Sequence, residues 1–205
     1  MDAQNWLVTD SGQCRELELP PRDREWVSPY RLYRLLTELE DILRDTDDNV
    51  RRLQRLCPLV RQFLNDSPWL PLQYILAEPD PNRGWSVSML YDETDYPLTV
   101  QMVTWNPGIV SPVHNHATWG LVALLHGSEK NTFWRRSPDS DAPDRVEATG
   151  DRILEPGEII TFLPDAIHCV EALGDEPTVS FNLYGETDYS RRFEFDPAAQ
   201  TAKLF

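Results

Sequence analysis

Apolar positions along this chain change their spacing near residue 68. Before it, Leu32, Leu35, Leu36, Leu39, Ile42 and Leu43 recur at the period of a helix with one apolar face. Ser28-Pro29 supplies an N-cap and a first helical residue. An acidic break over 45–48 precedes Val50, Leu53, Leu56, Val60, Phe63 and Leu64, a second amphipathic run. Each helix leaves an apolar stripe that must be covered by the other or by a sheet. After Pro68 the runs become short, β-branched and aromatic, and are broken by Gly, Pro and Asp. Strands are predicted at 86–91, 98–105, 119–125, 131–136, 158–163, 168–173 and 178–184. Such spacing points to a mainly β architecture, a sandwich or barrel. The chain parses as a leader, 1–27, and one domain, 28–205, with a helical flank at 28–66 and a β-barrel at about 84–196. No internal repeat interrupts it.

Composition narrows the partners more than the fold. The formal charge of −15 argues against nucleic acid or an anionic membrane, both of which require clustered cations. Three scattered cysteines, Cys14, Cys57 and Cys169, do not make a disulfide framework and fit a reducing compartment. No apolar run is long enough to span a bilayer, and the polar, acidic start MDAQNWLVTD is unlike a secretory signal. A cytoplasmic protein, monomeric or a small homo-oligomer, is expected.

Candidate chemistry concentrates in GIVSPVHNHATWGLVALLHG, residues 108–127. In a strand, His114 and His116 point to the same face, so two imidazoles can hold one metal ion. His168, in the predicted strand HCVEAL, can supply a third ligand. Three of the chain's four histidines thus suit a single site. Neutral imidazoles suit Fe(II), and three protein ligands leave coordination positions open. His126 ends the same run at a turn and is read as a non-ligand. Cys169 is turned away from the site by strand alternation, and Asn115, between the two histidines, faces the other way in an outer-shell or turn role. Trp105 and Trp119 are read as packing residues, although Trp119 can also reach substrate.

The segment Gly108-x5-His114-x-His116-x3-Gly120-x6-Gly127 resembles the first cupin motif, and Gly157-x6-Pro164-x3-His168 an altered second one. The resemblance implies a jelly-roll barrel holding a divalent metal. Gly120 stands where many cupins carry glutamate, and a carboxylate-free set of three histidines is similar to that of the thiol dioxygenases, the cysteine dioxygenase family. Its bacterial mercaptopropionate dioxygenase-like branch has an HDHxxWG pattern, matched here by His114-Asn115-His116-Ala117-Thr118-Trp119-Gly120. Trp69-Leu70-Pro71, Pro79-Asp80-Pro81, Tyr184-Gly185, Arg191-Arg192-Phe193 and Phe195-Asp196-Pro197 are also similar, so the resemblance covers most of 28–205. It implies an Fe(II) oxidoreductase that converts a small thiol and O2 to a sulfinate, with His114, His116 and His168 on the metal. The family's Ser-x-His-x-Tyr is met here by Ser180, Asn182 and Tyr184, with Tyr184 orienting bound thiol or oxygen.

Two departures keep the function open. Asn182 replaces a histidine, which removes a titratable relay but preserves hydrogen bonding. The family's early-strand Arg or Gln has no counterpart in Trp85–Tyr91, so a substrate carboxylate needs another cation, for which Arg135 or Arg136 is one candidate and a surface location of that pair the equal alternative. Neither Gly120 nor Leu121 offers a thiol for the family's Cys–Tyr thioether. The alternatives are a metal-binding cupin of other enzymatic chemistry and a non-catalytic sensor.

Overall fold

The two apolar-striped runs form helices α1 (Leu32–Asp45) and α2 (Asn49–Asn65). The computed structural model describes residues 4–20, 29–75, 80, 82–93, 96, 98–138 and 144–205. The expected cap Ser28 lies outside the described residues, as do Pro79 and Pro81. α1 starts later than Pro29, at Leu32, with Arg31 as an N-cap that makes no side-chain bond. Tyr30 instead donates its N–H to Asp66 Oδ2 at 2.6 Å, tethering the entry of α1 to the exit of α2. Asp48, from the acidic break, caps α2 by accepting from Arg51 N–H at 2.8 Å. The WLP segment forms a short third helix, α3 (Trp69–Ile75), that the sequence pattern does not announce.

All seven predicted strands are present: β3 (Trp85–Tyr91), β4 (Thr99–Trp105), β6 (Gly120–His126), β7 (Ser128–Arg136), β9 (Ile159–Phe162), β10 (Ile167–Leu173) and β11 (Thr178–Tyr184). Six more were not foreseen: β1 (Asn5–Val8), β2 (Cys14–Glu16), β5 (Val113–Asn115), β8 (Val146–Leu154), β12 (Phe193–Asp196) and β13 (Thr201–Leu204). One sheet runs β2-β1-β9-β6-β11-β4-β3 and the other β13-β12-β5-β10-β7-β8. Within them, β4 to β11 divide between the sheets in the order β4-β11-β6-β9 and β5-β10-β7-β8, which is the strand order of a jelly roll. The stretch parsed as a leader adds β1 to this framework, parallel to β9. Leu7 and Val8 are fully buried there.

Three layers result. Leu35, Leu39, Leu53, Leu56, Val60 and Phe63 of the helices cover the outer face of the seven-stranded sheet, against Val100, Met102, Leu121, Val179, Phe181 and Leu183. A second core, with Val122, Leu124, Phe133, Ile160 and Phe162, fills the space between the sheets. β11 is buried on both sides. Its odd-numbered residues meet the helices, so alternation turns Thr178, Ser180, Asn182 and Tyr184 into the barrel. A polar face inside an apolar barrel demands internal hydrogen bonds.

Candidate metal centre

β5 and β10 are antiparallel neighbours, and His114 stands directly opposite His168 in their register. Cross-strand partners present their side chains to the same face. His116 lies just past the end of β5, where Ala117 takes a left-handed φ of 52° and turns the chain. All three rings meet: His116 Nε2 and His168 Nε2 are 3.0 Å apart, and ligand-capable nitrogens of the three residues lie within 4.8 Å of one another. Two ligands about 2.1 Å from one ion at a right angle stand roughly 3.0 Å apart.

Two of the three outer nitrogens are occupied. His114 Nδ1–H donates to the Pro112 carbonyl at 2.9 Å, and His168 Nδ1–H donates to Asn131 Oδ1 at 3.0 Å. Such bonds fix the tautomer and aim the Nε2 lone pairs inward, as metal-binding histidines require. Burial lowers all three proton affinities, and the neighbouring imidazoles lower those of His116 and His168 further, well below the usual histidine value. The rings are therefore neutral ligands at neutral pH. No Asp or Glu joins this cluster among the described residues.

Tyr184 stacks on His116, with centroids 4.5 Å apart and planes at 26°. Its phenol is pushed above the ordinary range, chiefly by burial, and stays protonated. Tyr184 Oη–H donates to Asn182 Oδ1 at 2.9 Å, and Asn182 Nδ2 donates to Ser180 Oγ at 2.9 Å. Gly120 lies directly across β6 from Tyr184, and a Cβ there would sit 2.7 Å from Tyr184 Cδ1. The tyrosine ring thus occupies the space that a carboxylate side chain at 120 would need.

Neither Arg135 nor Arg136 reaches the histidines; both take the surface location that the sequence left open beside a carboxylate-binding role. Arg135 pairs with Glu147 at 3.4 Å and Arg136 with Asp144 at 3.7 Å. Both line a surface cleft of about 350 Å³ with Asn115 and Ile167, on the face of the sheet opposite the histidines. The cation near the site is Arg192, whose charge acts on His114, His116 and Tyr184. It makes no ion pair among the described residues, and its buried Nε has no hydrogen-bond partner. Its guanidinium lies over the Phe205 ring at 4.3 Å, and Phe205 stacks on His114 at 5.7 Å.

Asn115 explains how Arg192 is held. Its Nδ2 donates to the Arg191 carbonyl at 2.9 Å, and its Oδ1 accepts from Phe193 N–H at 2.7 Å. The residue between the two histidines therefore clamps the backbone on either side of Arg192. Sequence reasoning named Arg192 only within a tail motif and missed Asn131, whose role depends on strand register. His126 is paired with Glu176 at 3.1 Å and stands apart from the cluster. Trp119 packs into the helix-side core, and Trp105 meets Trp85 in a tilted pair with ring centroids 5.6 Å apart.

No protein-family model matches the chain. Similar solved structures include oxalate oxidase in complex with the substrate analogue glycolate, at 13% identity, 54% of each chain covered and a TM-score of 0.40. Others are a cupin 2 conserved barrel domain protein from Salinispora arenicola (15%, 51% of this chain and 77% of that one, TM-score 0.39) and KdgF from Halomonas sp. (16%, 53% and 87%, TM-score 0.40). The match to oxalate oxidase thus spans about half the length of that protein. The jelly-roll assignment rests on the strand order itself. No described helix is long and apolar enough to cross a membrane.

Proposed function

We propose that this chain is a cupin-type, Fe(II)-dependent dioxygenase that oxidises a small thiol carrying a carboxylate to its sulfinate. The observation that carries this reading is the carboxylate-free cluster of three neutral imidazoles, one buried and two half-buried, with Tyr184 stacked against it. Three neutral ligands leave the ion's full +2 charge, and Arg192 adds another positive charge nearby. In a low-dielectric site such a field favours an anion, and a thiolate bearing a carboxylate offers two.

When bound, iron would supply a redox-active Lewis acid that ionises a coordinated thiol and brings dioxygen beside it. His114, His116 and His168 hold it, with Pro112 and Asn131 fixing two of the rings. Arg192 anchors the carboxylate, and Asn115 holds Arg192 in place. Tyr184 remains a phenol and orients the reacting groups by hydrogen bonding. The balance is RSH + O2 → RSO2H, with both oxygen atoms retained in the product and no further reductant needed.

Oxygen uptake by Fe(II)-loaded protein, with iron content measured on the same sample, tests the reading. The panel is mercaptopropionate, cysteine, mercaptosuccinate and cysteamine, the last lacking a carboxylate. Uptake with a carboxylated thiol, matched by its sulfinate, is the expected result. Stoichiometric iron with no uptake for any thiol overturns it, and Asn182 in place of the family histidine then favours a metal-binding cupin of other chemistry or a sensor.

A further inference from the structure

Among the described residues, Arg192 is anchored by a ring and not by an acid. β12 pairs with β5, where Glu194 is the register partner of His114. Alternation therefore puts Arg192, two residues before Glu194, on the histidine face of the sheet. On its other side β12 pairs with β13, and Leu204 stands opposite Phe193. Phe205 follows β13, and its N–H donates to the Arg192 carbonyl at 2.9 Å, which continues that ladder by one residue pair. The Phe205 and Arg192 side chains thus leave the same face as neighbours. One ring meets both the cation and a candidate metal ligand: Arg192 Cζ lies 4.3 Å from its centroid, and its plane is 27° from that of His114 with centroids 5.7 Å apart.

Burial does not account for this placement, since Phe205 is half exposed. Glu194, the acid on the same face, is committed to Lys203 at 3.3 Å. Arg192 Nε is buried without a hydrogen-bond partner. An acid would neutralise the guanidinium and occupy its fork of donors, whereas a ring attracts the charge and leaves it in place. Asn115 fixes the Arg192 backbone, but the long side chain beyond it keeps several rotatable bonds. Phe205 is the contact that limits where those bonds can carry the fork.

We propose that Phe205 is the specificity-determining residue of the centre. Its ring holds the Arg192 fork at one reach from the histidines, so the site selects thiols by the number of bonds between sulfur and carboxylate. The inference rests on the thiol-carboxylate reading of the metal site and goes further than it. A mobile arginine would follow the carboxylate of any thiol, because attraction between charges falls only slowly with distance. A fixed one rewards a single spacing, because a charge-assisted hydrogen bond needs its partners within about 3 Å. Arg192 then selects for charge, and Phe205 selects for length.

The test reads binding, apart from turnover. The full chain, loaded with Co(II) and kept free of oxygen, is titrated with mercaptoacetate, 3-mercaptopropionate, 4-mercaptobutyrate and ethanethiol, following the near-ultraviolet thiolate-to-metal band. Wild type should bind one of the three acids about 10-fold or more tighter than the other two. Phe205→Leu keeps an apolar side chain but removes the ring face, and should cut that preference about 3–10-fold with ethanethiol unchanged. Phe205→Tyr retains the face and should retain the preference. Because the ring is half exposed, both variants should fold. Equal affinities of the three acids for wild type, no binding of any, or a preference untouched in Phe205→Leu overturns the proposal. A loss shared equally by ethanethiol also overturns it, since Phe205 would then be only a prop for His114. Oxygen separates the two readings: a shifted preference without sulfinate removes the activity, and sulfinate formed with an unshifted preference removes the role of Phe205.

Discussion

Asn131 offers the sharpest test of whether the histidine cluster is a metal site, because stability and metal affinity should respond differently to its removal. Asn131→Leu keeps the side-chain shape and removes both amide atoms. The loss of Oδ1 leaves His168 Nδ1–H buried without its acceptor, which costs roughly 1–3 kcal/mol. The loss of Nδ2 removes a buried group that already lacks a partner, a gain of similar size. The apo protein should therefore unfold within about 1 kcal/mol of wild type. Metal binding has no such offset, since the tautomer and aim of His168 depend on that bond. Removing a partner of this kind typically weakens metal affinity roughly 10–100-fold, about 1.4–2.7 kcal/mol. Competition against a calibrated chelator with Fe(II) or Zn(II), alongside urea unfolding of the apo forms, measures both terms. An unchanged metal affinity in a folded Asn131→Leu protein would refute the orienting role given to the His168–Asn131 bond.

Arg192→Met should weaken binding of mercaptopropionate about 10–100-fold, the worth of a charge-assisted bond, and leave cysteamine unaffected. Equal effects on both thiols would remove Arg192 from carboxylate recognition. Gly120→Ala places a Cβ 2.7 Å from the Tyr184 ring and should lower stability by about 1–3 kcal/mol in urea while disturbing the His116 stack. Wild-type stability in that variant would mean that the ring is not confined. Burial holds the three site imidazoles below their ordinary proton affinity, so the unfolded chain takes up their protons first as pH falls. The stability they contribute is complete above about pH 6.5 and is lost progressively below it. Apo wild type should lose stability below that point more steeply than a variant with His114, His116 and His168 changed to glutamine, and parallel curves would contradict the burial argument.

Period and punctuation carried the helices and the seven strands with apolar or aromatic residues, because those elements bury a full face. β8 escaped notice because it is exposed along most of its length, so its sequence has no apolar stripe. β1 was hidden differently: Leu7 and Val8 are apolar, but four residues in a polar stretch give no sign of a parallel partner far along the chain. The histidines were legible because HxH and a Gly-Pro-His spacing are local patterns. Asn131 and Arg192 were not, since the first matters only through the register of β7 on β10 and the second only through the Asn115 clamp. Arg135 and Arg136 stayed open between the site and the surface because charge alone does not indicate which side of a sheet a residue faces.

The parallel pairing of β1 with β9 has a consequence for how the chain is made. Thr161 Oγ1 on β9 donates to the Trp6 carbonyl across 155 residues, so β1 waits for a partner made much later. At about 5–20 residues per second, that delay is on the order of 10–30 s. Throughout it β1 can pair only with β2, and its other edge stays open, a species exposed to chaperones and to aggregation. β10, which carries His168, emerges directly after β9. The histidine cluster is thus completed only after β9 exists to receive β1, so the barrel seam and the metal centre belong to the same late stage of folding.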